Sequence, residues 1–271
     1  MRAVARQGIL AGVVTQPDRP AGRGHKLTPT PVKKAALELG VPIYEPLSLK
    51  AFTQEHESET YDLFVLASYG KILPAALLAM PKYGALNVHP SLLPKYRGAT
   101  PLQTALLNGD SETGVTIMLM DADMDTGPVV LQERTDISPE EDYGALHDRL
   151  AAVGARLLTQ ALSSVPSGFH PEPQRGEPTI TRPIRKEDLK IDWTWNAQRI
   201  LNTVRAFAPQ PAARALIGKA DVKVLAAQGH PSAEAIAVPC ADGAVYVTRV
   251  VVAGKPPMSG SSFERHLGRA V

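Results

Sequence analysis

The stretch that decides the fold, residues 85–127, reads ALNVHPSLLPKYRGATPLQTALLNGDSETGVTIMLMDADMDTG. It begins with a short apolar run that ends in polar side chains, the pattern of a buried strand. A turn-rich loop follows, and then a helical pattern that begins near Pro101. Residues 114–120 form a second apolar run, and an Asp-rich loop ends the stretch at Gly127. The order therefore predicts strand, loop, helix, strand and loop.

Three polar side chains of this stretch are predicted to meet. Asn87 and His89 end the first strand, and Asp125 lies in the loop that leaves the second. In an open α/β sheet, ligands bind outside the carboxyl ends of the strands. We therefore expect all three residues at one edge of the sheet, in an arrangement that contains no serine or cysteine nucleophile.

The N-terminal half alternates between apolar strands and helices. Strands are predicted at 9–15, 41–44 and 63–67, and helices are predicted to begin at Thr30 and Ser48. Strands that alternate with helices favour right-handed crossovers and a parallel sheet. The predicted fold class is α/β, with a doubly wound, Rossmann-like N-terminal domain and a mostly parallel sheet.

The composition changes after the first 163 residues. Prolines and glycines are frequent from 163 to 185, which is typical of a linker. Short β-patterned segments follow from Ala220 onward, and Asp242-Gly243 is a hairpin signal, so a small barrel is predicted. The predicted domains are a catalytic domain at 1–165, a linker at 166–186 and a small β-barrel domain at 187–271.

Composition and charge narrow the class of protein. The 271 residues are 44% hydrophobic, which is enough for a buried core, and the formal net charge is +2. That charge excludes a strong global field for nucleic acid but leaves room for a local basic patch. Cys240 is the single cysteine, so an internal disulfide is excluded and a reducing cytoplasm is expected. No apolar run reaches the roughly 18 residues that span a bilayer, so no membrane segment is expected.

Asn87, His89 and Asp125 can support acyl transfer to a nucleophile that belongs to the substrate. A histidine moves protons near neutral pH, a carboxylate orients it or takes a proton, and an amide donates to a developing oxyanion. The alternative is structural: a turn cap, a satisfied core histidine and an ordinary acidic loop. No metal is expected, because Asp121 and Asp123 lack the glycine and the glutamate of a calcium loop.

Residues 18–26 form a second candidate site, a loop rich in bases. Arg19, Arg23 and Lys26 can contact phosphates, and the intervening glycines let the backbone approach them. The alternative is a solvated surface loop. No Walker motif or Gly-x-Gly-x-x-Gly pattern follows a strand, so a nucleotide cofactor is not indicated.

The motifs of this chain resemble a known family. Asn87-Val-His-Pro-Ser-Leu-Leu-Pro, Tyr96-Arg-Gly and Asp125-Thr-Gly are similar to the signature of the folate-dependent formyltransferases. The segment TQPDRPAGRG at 15–24 resembles the methionyl-tRNA formyltransferases in particular. The resemblance continues with KIDW at 190–193, so it covers nearly the whole chain.

The resemblance implies an activity and roles for the three central residues. The formyl group of 10-formyltetrahydrofolate would pass to the α-amine of methionyl-initiator tRNA, giving N-formylmethionyl-tRNA for translation initiation. By resemblance, Asn87 polarises the formyl oxygen and His89 stabilises the oxyanion. Asp125 orients His89 and assists removal of the proton.

The resemblance also implies binding sites. The folate site would be lined by Ser91, Leu92, Leu93 and Pro94. The acceptor stem of the tRNA would meet Arg19, Arg23 and Lys26, with Arg23 as the leading contact. The C-terminal barrel would be OB-like and would hold the tRNA body through Arg249, Lys255 and Arg265. A monomer is expected, with folate and tRNA as substrates and no metal.

Two departures from the family pattern modify these expectations. The family's opening strand, Gly-Thr-Pro-x-Phe-Ala turn and helix are not found before Gly8, and their loss would leave strand edges exposed. We therefore expect Met1 to be an internal start. The barrel is also short between Gln228 and Ala235, which affects the expected contacts to the tRNA body.

Other functions remain open. Phosphoribosylglycinamide formyltransferases share the pattern of Asn87, His89 and Asp125, but they are expected to lack the basic loop and the C-terminal barrel. Sugar-nucleotide formyltransferases share the chemistry and do not need the basic loop. A rival from a different class is a non-catalytic RNA-binding remnant, against which the intact trio of side chains argues.

Overall fold

The computed structural model describes residues 1–8, 10–21 and 26–267, and contacts divide the chain into two compact units. One unit comprises Met1–Arg97, Gly114–Glu133 and Ala151–Thr179. The other comprises Gly98–Thr113, Arg134–Leu150 and Ile180–Val271. Each unit is discontinuous in sequence, so this division differs from the boundaries expected at 165 and 187, which stay a prediction.

The helices and strands follow the predicted alternation and then the predicted run of strands. In chain order they are α1 (Arg2–Gln7), β1 (Val13–Val14), β2 (Arg19–Ala21), β3 (Lys26–Thr28), α2 (Pro31–Leu39), β4 (Ile43–Tyr44), α3 (Leu49–Glu55), β5 (Phe64–Leu66), α4 (Ala75–Leu78), β6 (Ala85–His89), β7 (Arg97–Gly98), α5 (Pro101–Asn108), β8 (Glu112–Leu119), β9 (Val129–Asp136), α6 (Tyr143–Ser163), β10 (Ile180–Thr181), α7 (Ala197–Phe207), β11 (Ala213–Ile217), β12 (Ala220–Gln228), β13 (Ile236–Cys240), β14 (Gly243–Val252), β15 (Met258–Ser259) and α8 (Gly260–Leu267). Short 3-10 helices lie at Val165–Ser167 and Lys186–Leu189.

Helix α2 begins where the sequence predicts. The Thr30 hydroxyl accepts a hydrogen bond from the Lys33 amide at 3.0 Å, and Pro31 occupies the first turn. Gly40 ends the helix with a φ of 66°, a left-handed conformation that glycine adopts without steric cost. The strand predicted at 9–15 is confirmed only in part as β1, and Ile9 lies outside the described residues.

The central sheet has the order β5-β6-β8-β9, and it is mixed rather than mostly parallel. Strand β6 is parallel to β5 but antiparallel to β8, with Leu86 opposite Leu119 and His89 opposite Thr116. The prediction of a mostly parallel sheet was wrong at β8, whose inner residues are continuously buried. A continuous apolar run reports that both faces of a strand are covered, as in parallel sheets, but it does not report direction.

The basic segment expected to be a loop contains a hairpin. Strands β2 and β3 pair antiparallel, with Arg19 opposite Thr28. Beside this hairpin, the Lys33 ammonium donates at 2.8 Å to both Asp18 and Glu45. The hydrogen bond to Asp18, and then the one to Glu45, raise the pKa of Lys33. The segment that enters the hairpin is therefore tied to α2 and to the end of β4.

The second unit contains an antiparallel sheet of order β11-β12-β14-β13, with β15 added on β14. The register shifts around Ala226, which bends β12 and helps the sheet to curl into a half-barrel. Its interior is closed by α7 and α8, through fully buried Phe207 and Phe263. Helix α7 begins after Asn196, whose side chain accepts from the Arg199 amide at 2.9 Å.

Arg205 on α7 binds backbone carbonyls from two other segments of this unit. Its guanidinium donates to the carbonyl oxygens of Leu106, Ser138 and Pro139 at 3.3–3.4 Å. Burial lowers the pKa of Arg205. Across the residues that the structure describes, no helix combines the length and the apolar character needed to cross a membrane.

Asp188 fixes the segment that precedes α7. Its two carboxylate oxygens accept from the Arg182 guanidinium at 2.6 and 2.7 Å, and one of them also accepts from the Arg185 amide at 2.7 Å. The bonds from Arg182 come first among the causes that lower the pKa of Asp188 to about 2. The ionised form is therefore stabilised in the folded state.

Removing this charge should destabilise the protein in a pH-dependent way. We predict that Asp188→Asn lowers the free energy of unfolding by about 1 kcal/mol at neutral pH. The pKa of Asp188 is lower in the folded state than the unfolded value of roughly 3.9. Its contribution is thus present above about pH 4 and is lost as the pH falls towards 2. Urea unfolding at several pH values measures the difference, and exposed Glu57, changed to glutamine, is the control. A difference that does not shrink at low pH would contradict this account.

Candidate active site

The candidate active site forms where β6 meets the loop that follows β8. Asn87 and His89 lie two residues apart on β6, so their side chains point to the same face of the strand. The Asn87 amide donates from Nδ2 to Asp125 Oδ1 at 3.3 Å. His89 Nδ1 lies 3.6 Å from Asp125 Oδ2. The structure therefore brings together the three side chains that the sequence singles out.

Asp125 reaches this position by a different route from the predicted one. Because β8 is antiparallel to β6, the end of β8 lies beside Leu86 rather than beyond His89. The loop must therefore turn back, and Asp125 does so with a φ of 54°, in the left-handed region. Gly127 lies so close to the end of β8 that a Cβ there would be 1.8 Å from the Leu119 carbonyl oxygen.

The ring of His89 is held on both sides. Nε2 lies 2.9 Å from the Tyr96 carbonyl oxygen, which only accepts, so Nε2 carries the hydrogen. Nδ1 is then the nitrogen that faces Asp125. The His89 side chain is 5% exposed and the Asp125 side chain 15% exposed, so the carboxylate is the more accessible of the two groups.

The predicted folate residues lie in a tightly bonded loop next to this trio. Ser91, Leu93 and Pro94 are buried, and Leu92 is half-buried. The Ser91 hydroxyl donates to the Lys95 carbonyl oxygen at 2.6 Å, so its hydrogen is committed within the loop. The loop is also anchored to the sheet, because the Thr116 hydroxyl donates to the Ser91 carbonyl at 2.7 Å.

The basic hairpin borders a cleft of about 570 Å³. Exposed Arg19 lines this cleft together with Tyr69 and Lys71. Burial raises the pKa of the Tyr69 hydroxyl, whose oxygen has no hydrogen-bond partner within the described residues. Arg23, the leading tRNA contact expected from the sequence, lies outside the described residues. Lys26 is placed on β3, opposite Ala21.

The C-terminal residues that the sequence predicts to contact tRNA lie at the surface. Arg249, Lys255 and Arg265 are all exposed. Lys255 Nζ lies 2.7 Å from His266 Nε2, so the ammonium donates to the imidazole. Arg265 and His266 also line a smaller cleft of about 390 Å³. Sequence analysis missed His266, because a lone histidine near the end of the chain carries no motif.

Sequence analysis also missed two residues that contact the candidate site, Gln174 and Thr179. Gln174 donates to the backbone of the Asp125 loop, and Thr179 accepts from the backbone amide of Tyr96. Both lie in the stretch predicted to be a linker from its prolines and glycines. Only the hydrogen bonds of the folded chain identify them. In the described ranges, no three acidic, histidine or cysteine side chains are grouped to hold a metal.

Comparison with known proteins places this architecture in a class. The model of the formyl transferase family matches residues 2–162, and the model of the formyl transferase C-terminal domain matches residues 183–267. The two matches together cover most of the chain. The class is therefore that of the formyl transferases that carry this C-terminal domain.

Individual relatives give the family within this class. A methionyl-tRNA formyltransferase of Pelotomaculum thermopropionicum is 47% identical over 219 residues, which are 79% of this chain and 70% of the relative. A methionyl-tRNA formyltransferase of Aromatoleum aromaticum is 41% identical over 285 residues, covering 97% of this chain and 90% of the relative. The chain belongs to the methionyl-tRNA formyltransferase family.

Solved structures confirm the fold at lower identity. An N-formyltransferase from Helicobacter canadensis, in complex with folinic acid and dTDP-3-aminofucose, has a TM-score of 0.68 at 18% identity. The match covers 91% of this chain and 93% of that one. HypX from Aquifex aeolicus, in complex with tetrahydrofolic acid, has a TM-score of 0.63 at 21% identity, covering 87% of this chain and 44% of that one.

The close approach of Gly127 to β8 should make this position intolerant of any side chain. We predict that Gly127→Ala lowers the free energy of unfolding by about 1–3 kcal/mol, because its Cβ would overlap the Leu119 carbonyl oxygen and force the backbone apart. Urea denaturation measures the change. Gly8→Ala is the matched control, since a Cβ at Gly8 meets nothing within 4 Å. Equal stabilities of the two variants would contradict the prediction.

Proposed function

We propose that the chain transfers the formyl group of 10-formyltetrahydrofolate to the α-amine of methionyl-initiator tRNA, giving N-formylmethionyl-tRNA for translation initiation. The observation that carries this proposal is the Asp125 carboxylate, which lies between the Asn87 amide and the His89 ring. This arrangement provides an oxyanion donor and a proton acceptor but leaves the nucleophile to the substrate. The names of relatives that are 41–47% identical supply the acceptor.

The reaction begins when the α-amine attacks the formyl carbon. A new C–N bond forms, and the formyl oxygen becomes an oxyanion. One N–H of the Asn87 amide is used by Asp125. An amide nitrogen carries two hydrogens, and we assign the second to the formyl oxygen, which it polarises. One such donor contributes roughly 10²–10³ in rate.

His89 would stabilise the oxyanion from Nδ1. Its Nε2 hydrogen is committed to the Tyr96 carbonyl. A hydrogen bond from this ring to substrate must therefore come from Nδ1, and the ring must carry hydrogen on both nitrogens. The Asp125 carboxylate, 3.6 Å from Nδ1, would orient the ring.

Asp125 would take the proton that the attacking amine loses. Its carboxylate is the more exposed partner of the pair and can be reached from the substrate side. General base assistance contributes about 10²–10⁴ in rate, and holding the amine against the formyl carbon is worth about 7–11 kcal/mol. Collapse of the intermediate breaks the bond from carbon to the folate nitrogen, and this nitrogen takes the proton that Asp125 accepted from the amine.

Substrate binding is proposed on residues outside the trio. The loop of Ser91, Leu92, Leu93 and Pro94 would line the folate site, since it borders His89 in sequence. The basic hairpin with Arg19, Arg23 and Lys26 would contact the acceptor stem, and the exposed position of Arg19 beside the cleft supports this. An OB-like barrel with exposed Arg249, Lys255 and Arg265 would hold the tRNA body.

The predicted division into 1–165, 166–186 and 187–271 is part of the proposal. The bounds of the two family models, 2–162 and 183–267, support it. We also propose a cytoplasmic location, because the acceptor is a tRNA used in translation. We further propose that the protein is a monomer. Light scattering of the purified protein tests the monomer.

Removing the charge of Asp125 should abolish most of the activity. We predict that Asp125→Asn lowers kcat/KM for methionyl-initiator tRNA roughly 10²–10⁴-fold, because an amide keeps the shape but cannot accept the proton. Asn87→Ala should cost roughly 10²–10³-fold through loss of the oxyanion donor. Formyl transfer from 10-formyltetrahydrofolate measures both. The control is Asp123→Asn, an exposed carboxylate in the same loop that should keep parental activity.

The same assay separates the alternatives. Formylation of phosphoribosylglycinamide or of an amino-sugar nucleotide, but not of the tRNA, would replace the acceptor while keeping the chemistry. A folded parent that formylates none of them would overturn the proposal and favour a non-catalytic RNA-binding role. Full activity of Asp125→Asn would overturn the assignment of the site.

The proposed tRNA contacts should act on binding rather than on chemistry. We predict that Arg19→Gln and Lys255→Gln each raise the KM for tRNA roughly tenfold at unchanged kcat, because each removes a phosphate contact. Each should also lower the slope of log KM against log salt by about 1. Kinetics over a salt series measure both effects. Lys50→Gln, on the exposed side of α3, is the control, and an unchanged salt slope would exclude the residue concerned.

A further inference from the structure

The segment 172–179, predicted to be linker, is bonded to both loops of the candidate site. We call it the strap. At one end, Glu172 and Val129 exchange two backbone hydrogen bonds, of 2.7 and 2.8 Å. At the other end, the Thr179 carbonyl accepts from the Arg97 amide at 2.9 Å, and the Thr179 amide donates to the Pro94 carbonyl at 3.2 Å. The strap therefore spans from the loop of Asp125 to the loop of Tyr96.

In the middle of the strap, the Gln174 side chain uses its donors on the Asp125 loop. Its Nε2 donates to the carbonyl oxygens of Asp125 and of Gly127, each at 2.8 Å. Its Oε1 accepts from Arg97, at 3.1 Å from Nε and 2.7 Å from Nη2. A guanidinium can only donate and a carbonyl can only accept, so these partners fix which end of the amide faces the loop.

These bonds hold the turn that places the Asp125 carboxylate. Asp125 adopts a φ of 54°, which a residue with a side chain rarely adopts unless its surroundings impose it. The distances from its carboxylate to Asn87 and His89, 3.3 and 3.6 Å, are at the long end of contact range. A small movement of the turn would therefore separate the carboxylate from both partners.

We propose that Gln174 is a positioning residue for the reaction, which aligns Asp125 by binding both carbonyls of its turn while Arg97 orients the amide. This inference rests on the proposed function, because it acts through the residue assigned as the proton acceptor. Thr179 makes the corresponding contact with the loop of Tyr96. Its hydroxyl accepts from the Tyr96 amide at 2.8 Å, and the Tyr96 carbonyl accepts from His89.

The decisive variant is Gln174→Glu, which keeps the size of the side chain and the oxygen that faces Arg97. It replaces the donating NH2 with an oxygen that repels the two loop carbonyls. We expect kcat to fall roughly 10–100-fold, because a misplacement of about 1 Å can cost roughly 100-fold in rate. The KM for both substrates should stay within about twofold. Gln160→Glu, exposed on α6, is the matched control and should keep the parental kcat.

A double variant separates positioning from general stability. Because Gln174 acts through Asp125, Gln174→Glu should cause no further loss of kcat in the Asp125→Asn background. An equal loss in both backgrounds would overturn the inference. So would a parental kcat in Gln174→Glu alone.

Hydrogen exchange provides a readout that does not depend on activity. The amides of residues 121–127 should exchange faster in Gln174→Glu than in the parent, while those of β14 stay unchanged. If the parent does not formylate tRNA but this exchange rises, the proposed function fails and the holding of the Asp125 turn stands. Unchanged exchange at 121–127 would overturn the inference even in an active enzyme.

Discussion

The candidate site depends on one carboxylate that lies between two side chains of a single strand. Asp125 meets the Asn87 amide with one oxygen and faces the His89 ring with the other. Strand β6 fixes the spacing of Asn87 and His89, because side chains two residues apart share a face. The aspartate, in contrast, lies on a loop whose conformation is unusual for a residue with a side chain. The strand sets the geometry of the site, and hydrogen bonds from Gln174 hold the loop in the conformation that matches it.

The sequence was sufficient to find the three side chains but not to find how they meet. The motif around Asn87 and His89 lies on a strand whose bounds were predicted correctly. The direction of β8 was not predictable, because its uninterrupted apolar run reports burial on both faces and is compatible with either direction. Direction is set by pairing between residues distant in sequence, such as Leu86 with Leu119. A local pattern contains no information about that pairing.

The segment predicted to be a linker also shows that a local sequence pattern does not report long-range contacts. Proline and glycine content identifies a segment that is neither helix nor long strand, and that much was correct for 172–179. It does not say whether the segment is solvated or bonded. Gln174 and Thr179 are ordinary residues in sequence, and they matter because of the carbonyls and amides that the fold places beside them. The sequence therefore identified the side chains that meet in the candidate site, but not the backbone contacts of Gln174 and Thr179.

The charged groups of the candidate site and those proposed to bind tRNA differ in their exposure to solvent. In the site, the Asp125 carboxylate lies 3.6 Å from a nearly buried imidazole, and interactions between buried groups are only weakly screened by salt. Arg19, Arg249 and Lys255 are exposed, so their attraction for phosphates decays over the Debye length of about 8 Å at physiological ionic strength. A chain with a formal net charge of only +2 can therefore bind tRNA through local groups. Under the proposed function, ionic strength would then change how well tRNA binds and leave the proposed proton transfer at Asp125 largely unaffected.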